Sequence, residues 1–492
     1  MLMREHRPSR SSPFGGGRAA STRPVRASHV QGEIMLGSSR IWKRRLPGAA
    51  AVFTAAALAL AGCAGGSTTE TTDKGSADSG NITWWGWTPD AAPAEAYIKE
   101  FSKAYPKIKV TYKKLTIDGY DAAIRPALAS SVGPDVFDVA PGAANGSVGI
   151  YGVNAIDLTP AVEKSLGADW KSKLAPIGVN SLTKDGKLAA LSVGSNYAGS
   201  VWVNQDLFDK YGLKPPTTYD EWKSVCATFK TNGVKCFVQG AAQTAFNEDT
   251  LQAISNNVKP GVWAQALEKK VPWTDPTIVQ ALSIWKKLFD DKIMQDGALG
   301  VQQYPDANND FMSGKAAMVM MGTWYMQYST VEGSTAAISG AGVASPKPFT
   351  QLPIAFPDVA GTGNVGSLYG DADFGLAVNK KSKSIAAATT FATWLGTSQA
   401  GQQAVGDILN DIPALSSVQP DWTSIKLVNP TAQQPALEKL ISDAGKSAEP
   451  RLATVSADLQ TAIGVASTTV AAGQATPEQA AATLQSTAEK IK

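Results

Sequence analysis

The stretch VWVNQDLFDKYGLKPPTTYDEW, residues 201–222, compresses a unit of architecture into one line. Residues 200–203 read as a strand, Leu207 and Phe208 anchor a short helix, and Gly212 with Pro215 and Pro216 turns the chain. The same grammar runs upstream. NITWWGW begins as a strand at Asn81, and AAPAEAYIKEFSKAY places Tyr97, Ile98, Phe101 and Tyr105 at helical spacing, with Pro93 in the first turn. KIKVTYK alternates Ile108, Val110 and Tyr112 as a half-buried strand. YDAAIRPALAS is helical through Tyr120, Ile124 and Leu128, with Pro126 expected to kink it, and DVFDVA is another short strand. Strand, helix, strand, helix, strand implies a parallel, doubly wound sheet covered by helices. Further on, Ile278, Leu282, Trp285, Leu288 and Phe289 share one helix face, and Thr476, Pro477 and Gln479 open a last helix with a capping box. About 410 residues follow Asn81, more than one core supports, so two domains are expected.

Before Asn81 the chain is of another kind. Lys43, Arg44 and Arg45 precede an apolar run of fifteen residues, 46–60, the pattern of a secretory signal peptide and short for a membrane span. LAGC, residues 60–63, resembles the bacterial lipobox, in which the cysteine takes a diacylglycerol and becomes the new N-terminus. The alternative is a signal peptide cleaved nearby with Cys63 incidental. Residues 35–62 are therefore expected to be a lipoprotein signal peptide starting at Met35, and residues 1–34 a non-structural extension. Residues 63–80, STTETTDKGSADSG with its flanks, hold no large apolar side chain able to offset ordering entropy and are expected to form a flexible tether. Fourteen such residues span roughly 20 Å.

Removing residues 1–62 leaves 35 basic and 40 acidic residues, a net of −5 where the whole chain carries +3. The basic balance thus belongs to the leader and gives no reason to expect nucleic acid. Both histidines, His6 and His29, also lie there, which excludes a Ser-His-Asp triad or a histidine zinc site in the body. No metal or other cofactor is expected. Cys226 and Cys236, in an exported chain, read as a disulfide pair, with free buried thiols as the alternative. No later apolar segment approaches twenty residues.

Five segments in consistent order resemble the extracellular solute-binding proteins of family 1, the maltose-binding-protein-like receptors of ATP-binding-cassette importers. They are ITWWGW with FSKAYPKIKV, then GPDVFDVAPG, the stretch quoted at the outset, FMSGKAAMVMMGTW, and DADFGLAVNKKSKSIAAATTFATWL. The resemblance implies two discontinuous doubly wound α/β lobes with a hinge and an interlobe cleft, the type II periplasmic-binding-protein architecture. By motif order, lobe one would hold residues 81–194 and 315–368, and lobe two 195–314 and 369–492. It implies a non-enzymatic, monomeric receptor for a mono- or oligosaccharide, anchored by lipid on the outer face of the cytoplasmic membrane and serving a membrane permease. The same fold binding a polyol, polyol phosphate, peptide or metal chelate is an alternative, as are a surface scaffold and a glycan-active enzyme.

Sugars offer apolar C–H faces and hydroxyl edges; indoles suit the first, carboxylates and amides the second. Trp324 occupies the G-x-W position that commonly stacks on sugar in the family, unless it is a plain core residue. WWGW places Trp84 and Trp85 on opposite strand faces, with Gly86 expected to let the chain turn. Trp85 and Trp87 are assigned to the cleft and Trp84 to the core. Asn196 and Tyr197 at the first crossing, and Asp371 and Asp373 near the last, are candidates for ligand hydrogen bonds or for hinge turns. Asp138 is a further candidate, and Asn247 and Glu248 could line the second lobe.

Overall fold

The computed structural model describes residues 75–142, 146–452 and 454–491. Cys63, the leader and the first part of the tether lie outside these residues.

The body opens with β1 (Gly80–Gly86), α1 (Ala91–Ala104), β2 (Ile108–Lys114), α2 (Tyr120–Ala129) and β3 (Val136–Val139). It continues through β4 (Leu191–Ser192) and β5 (Gly194–Ala198). Then come β6 (Ser200–Asn204), α3 (Tyr219–Thr231), β7 (Lys235–Val238), α4 (Thr244–Val258), α5 (Pro276–Asp290), β8 (Ala316–Met321) and β9 (Gln351–Ala355). The return runs through β10 (Tyr369–Ala372), β11 (Gly375–Val378), α6 (Ile385–Thr397), α7 (Gln399–Ile408) and β12 (Ile412–Pro413). Three helices finish the chain: α8 (Pro430–Ala444), α9 (Ala457–Ala471) and α10 (Pro477–Lys490).

These strands form two lobe sheets and a bridge. Lobe one has the order β2-β1-β3-β11-β4, lobe two β9-β6-β8-β7, and the strands β10-β5-β12 join them. The run from β2 to β3 is parallel as the pattern required, whereas β11 enters antiparallel to β3, so the sheet is mixed. β1 turns Ile82, Trp84 and Gly86 one way, and Trp84 packs with Tyr97 and Phe101 of α1 and Phe391 of α6. Its other face carries Trp85 against Tyr120, Ile124 and Leu128 of α2. In lobe two, Val201 and Val203 face a core with α3, α4, α5, α9 and α10, while Trp202 faces a separate cluster with Tyr325 and Leu437.

The lobe boundaries differ from those read off the motif order. β8 is buried along its whole length and needs neighbours on both edges, which β6 and β7 of the second lobe supply. Residues 315–368 therefore belong to lobe two. β11 pairs with β3, and α6 and α7 pack with α1, so residues 373–411 belong to lobe one. Only the helices α8 to α10 of the final stretch lie with lobe two as expected. The last tether residues are also fixed: the Thr390 hydroxyl donates to the Ala77 carbonyl at 2.9 Å, and Gly80 is already strand.

Cys226 on α3 and Cys236 on β7 are joined by a disulfide that pins helix to sheet beneath Trp222 and Phe237. Closing a loop of this size restricts the unfolded chain by about 2–3 kcal/mol. Reduction, or Cys226→Ala with Cys236→Ala, is expected to lower the melting temperature by several degrees. A calorimetric scan with and without reductant checks it; an unchanged transition would count against this role.

Candidate functional site

At the gap end of β1, Gly86 has no room for a side chain: a Cβ there would stand 2.2 Å from Asp138 Oδ2. The glycine thus admits a carboxylate, rather than making the turn expected of it. Asp138 is wholly buried; the Trp84 indole N–H donates to its Oδ1 at 2.7 Å and the Trp87 backbone N–H to its Oδ2 at 3.1 Å. Burial pushes this carboxyl well above its usual range, against the pull of the Trp84 bond. Asp138 therefore braces the strand end from inside. Trp87, half-buried, stands edge-on to Tyr120 with centroids 4.8 Å apart and is hemmed by the Gly146 backbone. Trp85 does not join this group: it packs over α2, with the Lys113 ammonium 3.6 Å from its ring centre.

The crossing strands carry three of the expected residues, Asn196, Tyr197 and Asp371, and Asp373 follows just after β10. Asn196 pairs with Asp371 across β5 and β10, and its amide donates to Asp373. Asp373 also accepts from the Thr88 hydroxyl at 3.3 Å, drawing β1's exit loop to the bridge. Asp411 lies beside Asp373 and accepts from the Asn410 amide at 2.9 Å. Burial, then the charge of Asp373, pushes Asp411 well above the carboxylate range, so this pair keeps a proton. Asp371 accepts from the backbone N–H of Leu452. Tyr197 is nearly buried, its ring laid against Gly370, where a Cβ would sit 2.4 Å from Cδ1. Asn196, Tyr197 and Asp371 thus build the bridge, while Asp373, just after β10, stays partly exposed.

Trp324 is the second residue of the helical turn Thr323–Ser329 that follows β8. Gly322 lets its ring fold back, since a Cβ there would be 2.0 Å from Cζ3. The half-buried indole donates to Tyr304 Oη at 3.1 Å and carries the Arg451 guanidinium 4.8 Å from its ring centre. Arg451 is clamped by Asp249 through two bonds of 2.7 and 2.8 Å. Burial raises the Tyr304 hydroxyl pKa against the pull of the Trp324 bond, and the charges of Asp90 and Asp373 add to the rise.

Direct bonds already cross between the lobes. Tyr328 Oη donates to Asp90 Oδ2 at 3.1 Å, Gln243 Nε2 to the Asp118 carboxylate at 3.1 Å, and Gln327 Nε2 to Asn410 Oδ1 at 2.7 Å. Lys114, 2.8 Å from Asp90, holds that carboxylate below its usual range against the penalty of its surroundings. Sequence reading missed Tyr304, Tyr328, Gln243, Asp90 and Arg451. Only the last left a trace: it is one of two arginines after residue 62, among 35 basic residues.

Asn247 and Glu248 do not reach the gap. Asn247 bonds the Ala241 carbonyl at 2.9 Å and Ser467 at 3.1 Å inside lobe two. Glu248, 1 % exposed, finds no donor at bonding geometry. Burial, then the Asp249 charge, pushes it up to about 8, with Arg451 and Gln460 opposing. A folded pKa above the unfolded one means the fold resists ionisation, so stability falls as pH rises from about 4.5 to about 8. Glu248→Gln is expected to leave the melting temperature near pH 4 unchanged and to raise stability at pH 8 by on the order of a few kcal/mol. Melting curves of both proteins across that window check it; parallel curves would refute the assignment.

Residues 85–402 match the bacterial extracellular solute-binding protein family. An uncharacterized ABC transporter extracellular-binding protein of Pyrococcus horikoshii is 24% identical over 289 residues, 56% of this chain and 63% of its own. The arabinooligosaccharide-binding protein of Bacillus subtilis is 25% identical over 279 residues, 55% and 60% of the two chains. The matches to these two curated relatives thus span about three fifths of their length. Among solved structures, maltose-bound MalE3 of T. maritima superposes with a TM-score of 0.65 at 18% identity, over 84% of this chain and 100% of that one. A structure from the xylan utilization of Caldanaerobius polysaccharolyticus gives 0.66 at 21% identity, with the same coverage. Those likenesses establish a two-lobed binding-protein fold, and with a family match running from β1 into α7, the chain belongs to the bacterial extracellular solute-binding proteins.

Proposed function

We propose that this protein is the substrate-binding component of an ABC importer, holding a neutral mono- or oligosaccharide between its lobes and passing it to a membrane permease. One observation carries the reading: the indole of Trp324 is part-exposed, braced on one face by Arg451 and fixed at its N–H by Tyr304. An indole face suits the C–H surface of a pyranose, and carboxylates suit its hydroxyls. Names of relatives agree, with arabinooligosaccharide, maltose and chitin oligosaccharide among the ligands of similar proteins.

The charge balance narrows the solute. Asp90 is paired with Lys114 and Arg451 with Asp249, while burial holds Asp138 and Asp411 toward their neutral acid forms. A phosphate or uronate would find no unpaired cation among these groups to offset its desolvation, which favours an uncharged sugar over a polyol phosphate. The ligand shifts the lobes only through contacts made in the closed state, and the Tyr328, Gln243 and Gln327 bonds are the protein's own share of closure. No bond of the sugar is broken. In this reading the receptor is a monomer held outside the cell by a diacylglycerol on Cys63, the first residue after the cleaved leader.

A thermal-shift panel of arabino-, xylo-, malto- and chito-oligosaccharides tests it. A ligand at a hundredfold excess over its dissociation constant should stabilise the fold by about 2.7 kcal/mol and be recovered uncleaved. Trp324→Ala is expected to abolish that shift while the unliganded protein still melts cooperatively. A full shift in the variant would remove Trp324 from the site, and steady product release from the wild type would make the protein an enzyme.

A further inference from the structure

β1 runs away from one end of lobe one, its base, and reaches the gap at Gly86. The base is basic. Lys107 precedes β2, its carbonyl accepting from Gly80 N at 3.1 Å, and Lys109 pairs beside Asn81. β11 runs the opposite way, so the residues after it bring Lys380, Lys381 and Lys383 to the same end. All five lysines are exposed, and none forms an ion pair with a carboxylate among the described residues. Lys380 donates to the Val153 carbonyl at 2.7 Å and Lys381 to the Ala129 carbonyl at 2.8 Å, neutral partners that leave the charge in place. The acids at this end include Asp135, occupied by Thr83 and Ser382, Asp78, and the exposed Asp157, two residues past the Ala155–Asn379 bridge.

Two further features share the rim. Val132 is 83% exposed and Val153 54%, apolar side chains left beside the lysines. Between Ser130, Ser131 and the three lysines after β11 lies a surface depression of about 590 Å³. The described chain also starts here: a Cβ on Gly75 would stand 3.1 Å from the Lys383 carbonyl, and Ser384 Oγ donates to Asn81 O at 3.3 Å. Cys63 lies twelve residues upstream of Gly75, a reach of about 40 Å at most.

We propose that the base of lobe one, through Lys107, Lys109, Lys380, Lys381 and Lys383 with Val132 and Val153, docks on the anionic lipid surface to which the chain is tethered. The inference rests on the lipid anchor read at Cys63. Each lysine brought to an anionic membrane strengthens binding about fivefold, and the effect fades within a Debye length of about 10 Å at 0.1 M salt. A tether leaving from the same rim keeps the patch at high effective concentration over the membrane. Exposed valines add apolar contact where the lysines bring the surface close. The gap stays at the opposite end of the sheet.

The test uses the membrane-isolated protein carrying Val132→Cys with an environment-sensitive fluorophore, Cys226 and Cys236 being bonded to each other. The protein is reconstituted into vesicles of phosphatidylcholine, alone or with phosphatidylglycerol. Blue-shifted emission is expected only with phosphatidylglycerol, reversed by high salt. Lys380→Gln with Lys381→Gln and Lys383→Gln should lower the docked-to-free ratio about a hundredfold. Lys107→Gln with Lys109→Gln, which leaves the α2 end untouched, should lower it by over tenfold. Equal emission on both vesicle types, or no loss in either variant, overturns the proposal. N-terminal mass spectrometry of the same preparation reads Cys63 separately. If Cys63 bears no lipid, the anchor reading falls and flotation of the free chain replaces emission: phosphatidylglycerol-dependent flotation that the lysine variants abolish upholds the docking surface, and its absence overturns it.

Discussion

Everything in this molecule is subordinate to three strands crossing between two sheets. β5, β10 and β12 pair with one another and so form a bridge that belongs to neither lobe. The bridge must hold while its ends turn, and its chemistry reflects that demand. Glycine at 370 admits the Tyr197 ring, Asn196 spans to Asp373, and the Asp373–Asp411 pair shares a proton instead of demanding a cation. Paired backbone supplies stiffness along the strands, and small polar side chains supply contacts that survive rotation. Both halves of the gap are positioned by what attaches to this bridge.

Much of the fold is legible because burial imposes periodicity. Tyr97 and Phe101 of α1 and Ile82 and Trp84 of β1 fall inside where spacing puts them. The crossing is not legible, for a physical reason. β8, AAMVMM, is apolar on both faces, so nothing in it says which pair of strands will flank it. Its partners are chosen by where the chain returns, a property of topology. The order of motifs was a poor guide, and it exchanged residues 315–368 with 373–411.

The site divides in the same way. The setting of Trp324 is legible because its G-x-W context is local, and the reason for the glycine is local too. Asp138 looks like a ligand group in sequence, yet the indole that satisfies it lies 54 residues away and turns it into a brace. Trp85 is turned onto α2 because both faces of the sheet are covered by helices, while Trp87, just past the strand end, lies half-buried and edge-on to Tyr120. Arg451 and Tyr304 come from loops whose partners are distant in sequence, and nothing nearby announces them.

Residues 449–452 tie the bridge to the second lobe. Gly370 of β10 donates to the Glu449 carbonyl at 2.9 Å and accepts from Arg451 N at 3.3 Å, while Glu449 takes bonds from Gln252 and Asn256 of α4. The segment is thus bolted to the bridge on one side and to the second lobe on the other, and its arginine rides on the Trp324 ring. With that arginine clamped by Asp249 and the ring fixed at Tyr304, one short segment ties the bridge strand, α4 and the indole into a single connected set of contacts.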